Sequence, residues 1–108
     1  MSNVPEIDVK QLRDMLQSDA PPLLIDVREK WENELCSLPG SQLIPLGTLA
    51  AAAIPAAKDQ KIVVHCHHGG RSARAVAFLQ QQGFTDVHNL AGGIHAWSLE
   101  VDSSVKTY

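Results

Sequence analysis

The sequence predicts an α/β domain built on an open, mostly parallel sheet. Two short apolar runs, Leu23-Leu24-Ile25-Asp26-Val27 and Ile62-Val63-Val64-His65, lack the alternation of half-exposed strands and suit strands covered on both faces. Helical patterns lie between the strand candidates, the order expected of a parallel sheet with helices on its faces. No internal repeat or linker interrupts the 108 residues, so residues 1–108 read as one domain. A domain of that size buries roughly two-thirds of its unfolded surface, and nothing in it demands a dimer or a structural metal.

In chain order, the first helix follows Asp8, which can cap it with Gln11 three residues on as a capping-box partner. Val9, Leu12 and Leu16 share its apolar face, and Pro21-Pro22 prevents continuation. Leu23 to Val27 is the first strong strand. Ser41 to Ile44 is a weaker one, closed by Pro45. Thr48 is expected to cap an alanine-rich helix over Leu49 to Ile54, disturbed by Pro55. Ile62 to His65 is the second strong strand. After Gly69-Gly70 a helix is expected from Ser72 to Gln82, with Gly83 at its left-handed end and Phe84 folding back on Leu79. Val87-His88-Asn89-Leu90 reads as the last strand, and Gly92-Gly93 leads into a helix from Ile94 to Glu100 that Trp97 anchors in the core. Ligands of such sheets sit beyond the carboxyl ends of the strands. Asp26 and Arg28 close one strand and Cys66 another, so both ends should open on the same edge.

Composition narrows the function classes. Hydrophobic residues make up 44% of the chain but aromatic ones only 5%, so the core rests on Leu, Ile, Val and Ala. A net charge of −3 lacks the basic footprint of a nucleic-acid binder. No apolar run approaches the ~20 residues that cross a bilayer. The segment Met1-Ser2-Asn3-Val4-Pro5-Glu6 has neither the basic nor the apolar region of a secretion signal. The expectation is a cytoplasmic protein without membrane or nucleic-acid partners. Two cysteines, Cys36 and Cys66, make no disulfide framework, and in a reducing compartment one can be a working thiol.

Cys66 is the candidate. It lies between a buried strand and a helix start, in His65-Cys66-His67-His68-Gly69-Gly70-Arg71-Ser72. Free backbone N–H groups and the helix dipole favour thiolate over thiol there, and the thiolate is the nucleophile. Gly69 and Gly70 let the backbone bend and turn its amides inward as an anion-binding nest, and Arg71 adds a fixed positive charge. Cys36 has no such loop and reads as packed.

These residues also carry a family resemblance. Asp26-Val27-Arg28-Glu29, Leu38-Pro39-Gly40-Ser41 and Ile44-Pro45-Leu46 resemble the first signature of the rhodanese sulfurtransferases. Cys66 to Ser72 resembles their active-site loop, and Gly83-Phe84, Val87, Leu90, Gly92-Gly93-Ile94 and Ala96-Trp97 their closing signature. The resemblance spans Ile7 to Trp97. It implies a five-stranded parallel sheet flanked by helices and a catalytic cysteine that cycles between thiolate and persulfide. Cys66 is then the sulfur carrier, residues His67, His68, Gly69, Gly70, Arg71 and Ser72 the substrate-binding loop, and Asp26 with Arg28 its polar braces. It implies no cofactor beyond the covalent persulfide. The donor would be a small molecule such as thiosulfate or a persulfidated protein, the acceptor a thiol, cyanide or a carrier protein. Ser37 stands where the family usually has His, a structural position, so the fold should survive. The tail from Val101 to Tyr108 resembles the end of rhodanese domains fused to adenylating enzymes that serve molybdopterin or thiamine synthesis.

Two alternatives belong to other classes. One is a binding module on this fold without activity. The other is a cysteine-dependent phosphatase, whose loop places five residues between Cys and Arg; here only His67 to Gly70, four residues, separate Cys66 from Arg71. A metal site is not expected: adjacent residues of a strand end point apart, and His88 and His95 lie elsewhere on the surface.

Overall fold

The computed structural model describes residues 4–108. In chain order they form β1 (Glu6–Ile7), α1 (Val9–Leu16), β2 (Leu23–Asp26), α2 (Lys30–Leu35), β3 (Gln42–Leu43), a 3-10 segment (Leu46–Ala51), β4 (Ile62–His65), α3 (Gly70–Gln81), β5 (Val87–Leu90) and α4 (Gly93–Glu100). The strands make one sheet in the order β1-β5-β4-β2-β3, and every pairing is parallel.

Alternation along the central strands explains the unbroken apolar runs. Ile25, Val27, Ile62 and Val64 pack on one face with Val76 and Leu79 of α3. Leu24 and Val63 pack on the other with Leu12 of α1 and Ile94 and Trp97 of α4. Both faces are covered, so the central strands are apolar almost throughout. The buried exceptions lie at or near their carboxyl ends: Asp26 paired with Arg28, Asn89 bonded to Ser72, and His65, whose buried ring nitrogens have no hydrogen-bond partner among the described residues. Asp26 is in register with His65, which puts the ends of β2 and β4 side by side. That is the shared edge the sequence predicts.

Four local expectations need correction or addition. The alanine-rich segment is a 3-10 turn from Leu46, with Thr48 inside it and its hydroxyl on the Pro45 carbonyl. Between Pro45 and Pro55 the segment is too short to repay α-helix nucleation, and Pro55 biases Ile54 toward extended backbone. The weak strand shrinks to Gln42–Leu43, although the Ile44 amide still donates to Asp26 at 2.8 Å. The sheet gains β1 at one edge, and α2 follows β2. In contrast, the Asp8–Gln11 capping box and the left-handed Gly83 stand as read from the sequence. No helix among the described residues is long and apolar enough to cross a membrane.

Candidate active site

Cys66 leaves β4 and is only 2% exposed. Its Sγ accepts from the Gly69 amide at 3.1 Å, the Ser72 amide at 3.4 Å and the Ser72 hydroxyl at 3.3 Å. The first turn of α3 thus delivers donors to the sulfur, an arrangement suited to negative charge there. Gly69 makes the approach possible. Its φ of 121° is closed to side-chain-bearing residues. Gly70 is different: it lies inside α3 with open space where a Cβ would be, so the tight bend belongs to Gly69 alone.

Asn89 of β5 holds the loop from below. Its Oδ1 accepts from Ser72 Oγ at 2.5 Å, and its Nδ2 donates to the Gly69 carbonyl at 3.1 Å and to Glu6 Oε2 at 2.9 Å. On the other side, α4 docks beneath the loop. The Ile94 and His95 amides donate to the Cys66 and His67 carbonyls at 3.0 and 3.1 Å. A Cβ on Gly93 would come within 2.5 Å of both carbonyl oxygens, and φ is +59° there. Only glycine allows this contact.

Arg71 does not stand as a free positive charge. Its guanidinium grips Glu32 of α2 at 2.6 and 2.9 Å, and Tyr108 Oη donates to the same carboxylate at 2.6 Å. The Arg71 bonds, working against burial, hold Glu32 at about 2. With this charge balanced, the loop amides remain the main attraction for an anion.

Asp26 and Arg28 form a fully buried pair, with Nε on Oδ1 at 2.9 Å and Nη2 on Oδ2 at 2.7 Å. Burial pushes the Asp26 carboxyl up, but the bonds from Arg28 and Asn33 outweigh it and leave it below its ordinary value. Arg28 also reaches the Cys36 carbonyl at 2.7 Å and Tyr108 Oη at 3.0 Å. Their hydrogen bonds among the described residues do not touch residues 67–70. The expected brace is therefore indirect: it runs from Arg28 through Tyr108 and Glu32 to Arg71.

The histidines also differ from expectation. His67 and His68 lie past the end of β4, where no pleat forces them apart, and their rings stack at 4.0 Å. His95 joins them, with ring centroids 5.8 Å from His67 and 4.9 Å from His68. Tyr108 stacks on the other face of His67 at 3.9 Å. Burial, with the neighbouring His68 and His95, lowers the His67 imidazole below its usual range. His88 instead pairs with Asp86 at 2.7 Å.

Sequence reasoning missed Glu32, Asn89, His95 and Tyr108. Asn89 left a trace, a polar side chain within an apolar strand. Glu29 and Glu32 left another, the spacing of a capping box that the structure forms at the start of α2. The contacts of His95 and Tyr108 depend on tertiary docking and leave no local signal.

The rhodanese-like domain family matches residues 8–100. The chain belongs to that family. Among rhodanese-like relatives, the rhodanese-like/PpiC domain-containing protein 12 of Arabidopsis thaliana, a chloroplastic protein, is 42% identical over 97% of this chain and 38% of its own length. A sulfurtransferase of Allochromatium vinosum is 36% identical over 88% of this chain and 89% of its own. The probable adenylyltransferase/sulfurtransferase MoeZ of Mycobacterium tuberculosis is 36% identical over 94% of this chain, which spans 26% of that protein. Among solved structures, the human single-domain sulfurtransferase TSTD1 superposes with a TM-score of 0.83 at 25% identity, covering 91% of this chain and 98% of the other. The rhodanese-like chain thus spans nearly the whole length of two sulfurtransferases and only segments of two much longer proteins.

Proposed function

We propose that the protein is a sulfurtransferase that carries sulfane sulfur as a persulfide on Cys66. The observation that carries this reading is the buried Cys66 Sγ with three donors converging on it from Gly69 and Ser72. The Cys66 thiolate attacks the outer sulfur of a donor such as thiosulfate. The donor S–S bond breaks, sulfite leaves with the electron pair, and Cys66 holds the new S–S bond. An acceptor nucleophile, a thiolate or cyanide, then attacks the terminal sulfur and Cys66 leaves as thiolate. No external oxidant or reductant is needed. The Gly69 and Ser72 amides stabilise charge on the Cys66 sulfur before it attacks and as it leaves, as oxyanion holes stabilise oxygen.

The fusion-type tail and the similarity to MoeZ support a carrier protein as acceptor. Two unpaired thiols suit a reducing compartment such as the cytoplasm. The persulfide is the only group the chemistry needs.

Exposure to thiosulfate is expected to add one sulfur atom to the intact mass, mapped to Cys66 by peptide mass spectrometry. Cys66→Ser abolishes this, and Cys36→Ser retains most of it. Persulfide found mainly on Cys36 sinks the assignment. No labelling by thiosulfate or a persulfide donor favours the inactive binding module. Cys66-dependent hydrolysis of an aryl phosphate at a comparable rate favours the phosphatase.

A further inference from the structure

We propose that His67, His68 and His95 form a three-nitrogen site for a borderline divalent cation such as zinc. One ring nitrogen from each lies within 4.8 Å of one from each of the others. The cluster spans two elements, the loop after β4 and the first turn of α4, so it does not arise from neighbours in sequence alone. It is also built rather than incidental. The His95 amide on the His67 carbonyl fixes how α4 meets the loop, and Gly93 is the residue that permits that approach. Tyr108 lies flat on His67, with an interplanar angle of 6°, and limits where that ring can turn.

The polar atoms of the cluster point the same way. His67 Nε2 and His95 Nδ1 are buried, and neither has a hydrogen-bond partner among the described residues. A buried polar atom left unpaired costs about 1–3 kcal/mol. Coordination of a lone pair to a cation removes that cost.

The donor set selects the ion. Three imidazoles suit zinc, copper or nickel, whereas magnesium and calcium require oxygen. The nearby Glu32 carboxylate is already held by Arg71 and Tyr108, so it adds no free ligand. At zinc–nitrogen distances of about 2.0–2.1 Å, tetrahedral ligands sit about 3.3 Å apart, so the rings must close slightly. His68 is exposed and can swing to do so. Three protein ligands leave a fourth position open. Two of its ligands, His67 and His68, belong to the loop that follows Cys66, but the proposal does not need sulfur transfer and its readouts do not use that activity.

The test uses tag-free, metal-stripped protein titrated with zinc chloride by calorimetry and with cobalt chloride by visible absorption. One ion per chain is expected, with cobalt d–d bands and no thiolate-to-cobalt charge transfer. His95→Ala and His68→Ala each weaken binding by more than about tenfold. His88→Ala and Cys36→Ser leave it unchanged. Because His68 is exposed, its variant tests ligation without disturbing the core, and circular dichroism checks the fold of each. Absence of saturable binding overturns the proposal. So does binding that survives both cluster variants, or a charge-transfer band that moves the ion to cysteine.

Discussion

Asn89 ties together, from inside β5, three groups that are remote in sequence: Ser72, Gly69 and Glu6. Removing its amide leaves the Ser72 hydroxyl with Cys66 Sγ as its one remaining acceptor, and the Gly69 carbonyl and Glu6 carboxylate without its N–H. Asn89→Ala is expected to cost about 1–3 kcal/mol, since it removes the hydrogen bonds of a buried amide to the loop at the half-buried Gly69 and the buried Ser72. Sulfur uptake by Cys66 should slow while its stoichiometry stays at one, because Cys66 itself is untouched. Urea unfolding and the rate of mass gain read the two effects separately. A variant as stable as the wild type removes Asn89 from this role.

At the scale of elements, legibility followed burial. β2, β4 and β5 were plain in the sequence because both faces of each are covered, and β4 and β5 have the predicted bounds. α2 escaped notice because its six residues bury only Glu32, so no apolar stripe marks it. The Cys66 loop was legible from its glycines and the helix behind it. The pairing of Arg71 was not, because Glu32 lies 39 positions away. β4 also holds a titrating group, His65, which burial depresses to about 4 from the ordinary 6.5. Below pH 6.5 the unfolded chain takes up a proton that folded His65 refuses, so stability falls as pH drops. Between about pH 6.5 and pH 5 His65 is expected to remove about 1.5 kcal/mol. His67 is lowered too and acts in the same direction. His65→Leu should flatten most of this window in urea unfolding curves taken across pH. An unchanged slope would mean that His65 takes up its proton as readily in the folded as in the unfolded chain.

At the scale of the whole molecule, Arg28 is the junction between the sheet, α2 and the chain's last residue. It meets Asp26 of β2, the Glu32 carbonyl of α2, the Cys36 carbonyl and the hydroxyl of Tyr108. A buried pair of this kind adds little over apolar residues of similar volume but is severe to break. Arg28→Met alone is expected to cost about 3–5 kcal/mol, because it strands the Asp26 carboxylate. Adding Asp26→Leu should restore a large part of that loss. Equilibrium unfolding of the single and double variants decides it, and additive losses would argue against coupling. The pair was legible as a motif, Asp26-Val27-Arg28, but its reach to Tyr108 follows from the path of the tail over α4.

The near-complete burial of Cys66 bears on which molecules could collect its cargo. With 2% of the residue exposed, the cysteine sulfur itself offers almost no surface to an incoming molecule. In the proposed persulfide the outer sulfur stands one bond beyond Sγ, so it is the atom an acceptor reaches first. Seclusion of the cysteine sulfur would then leave exchange at that outer atom as the route by which the cargo is collected.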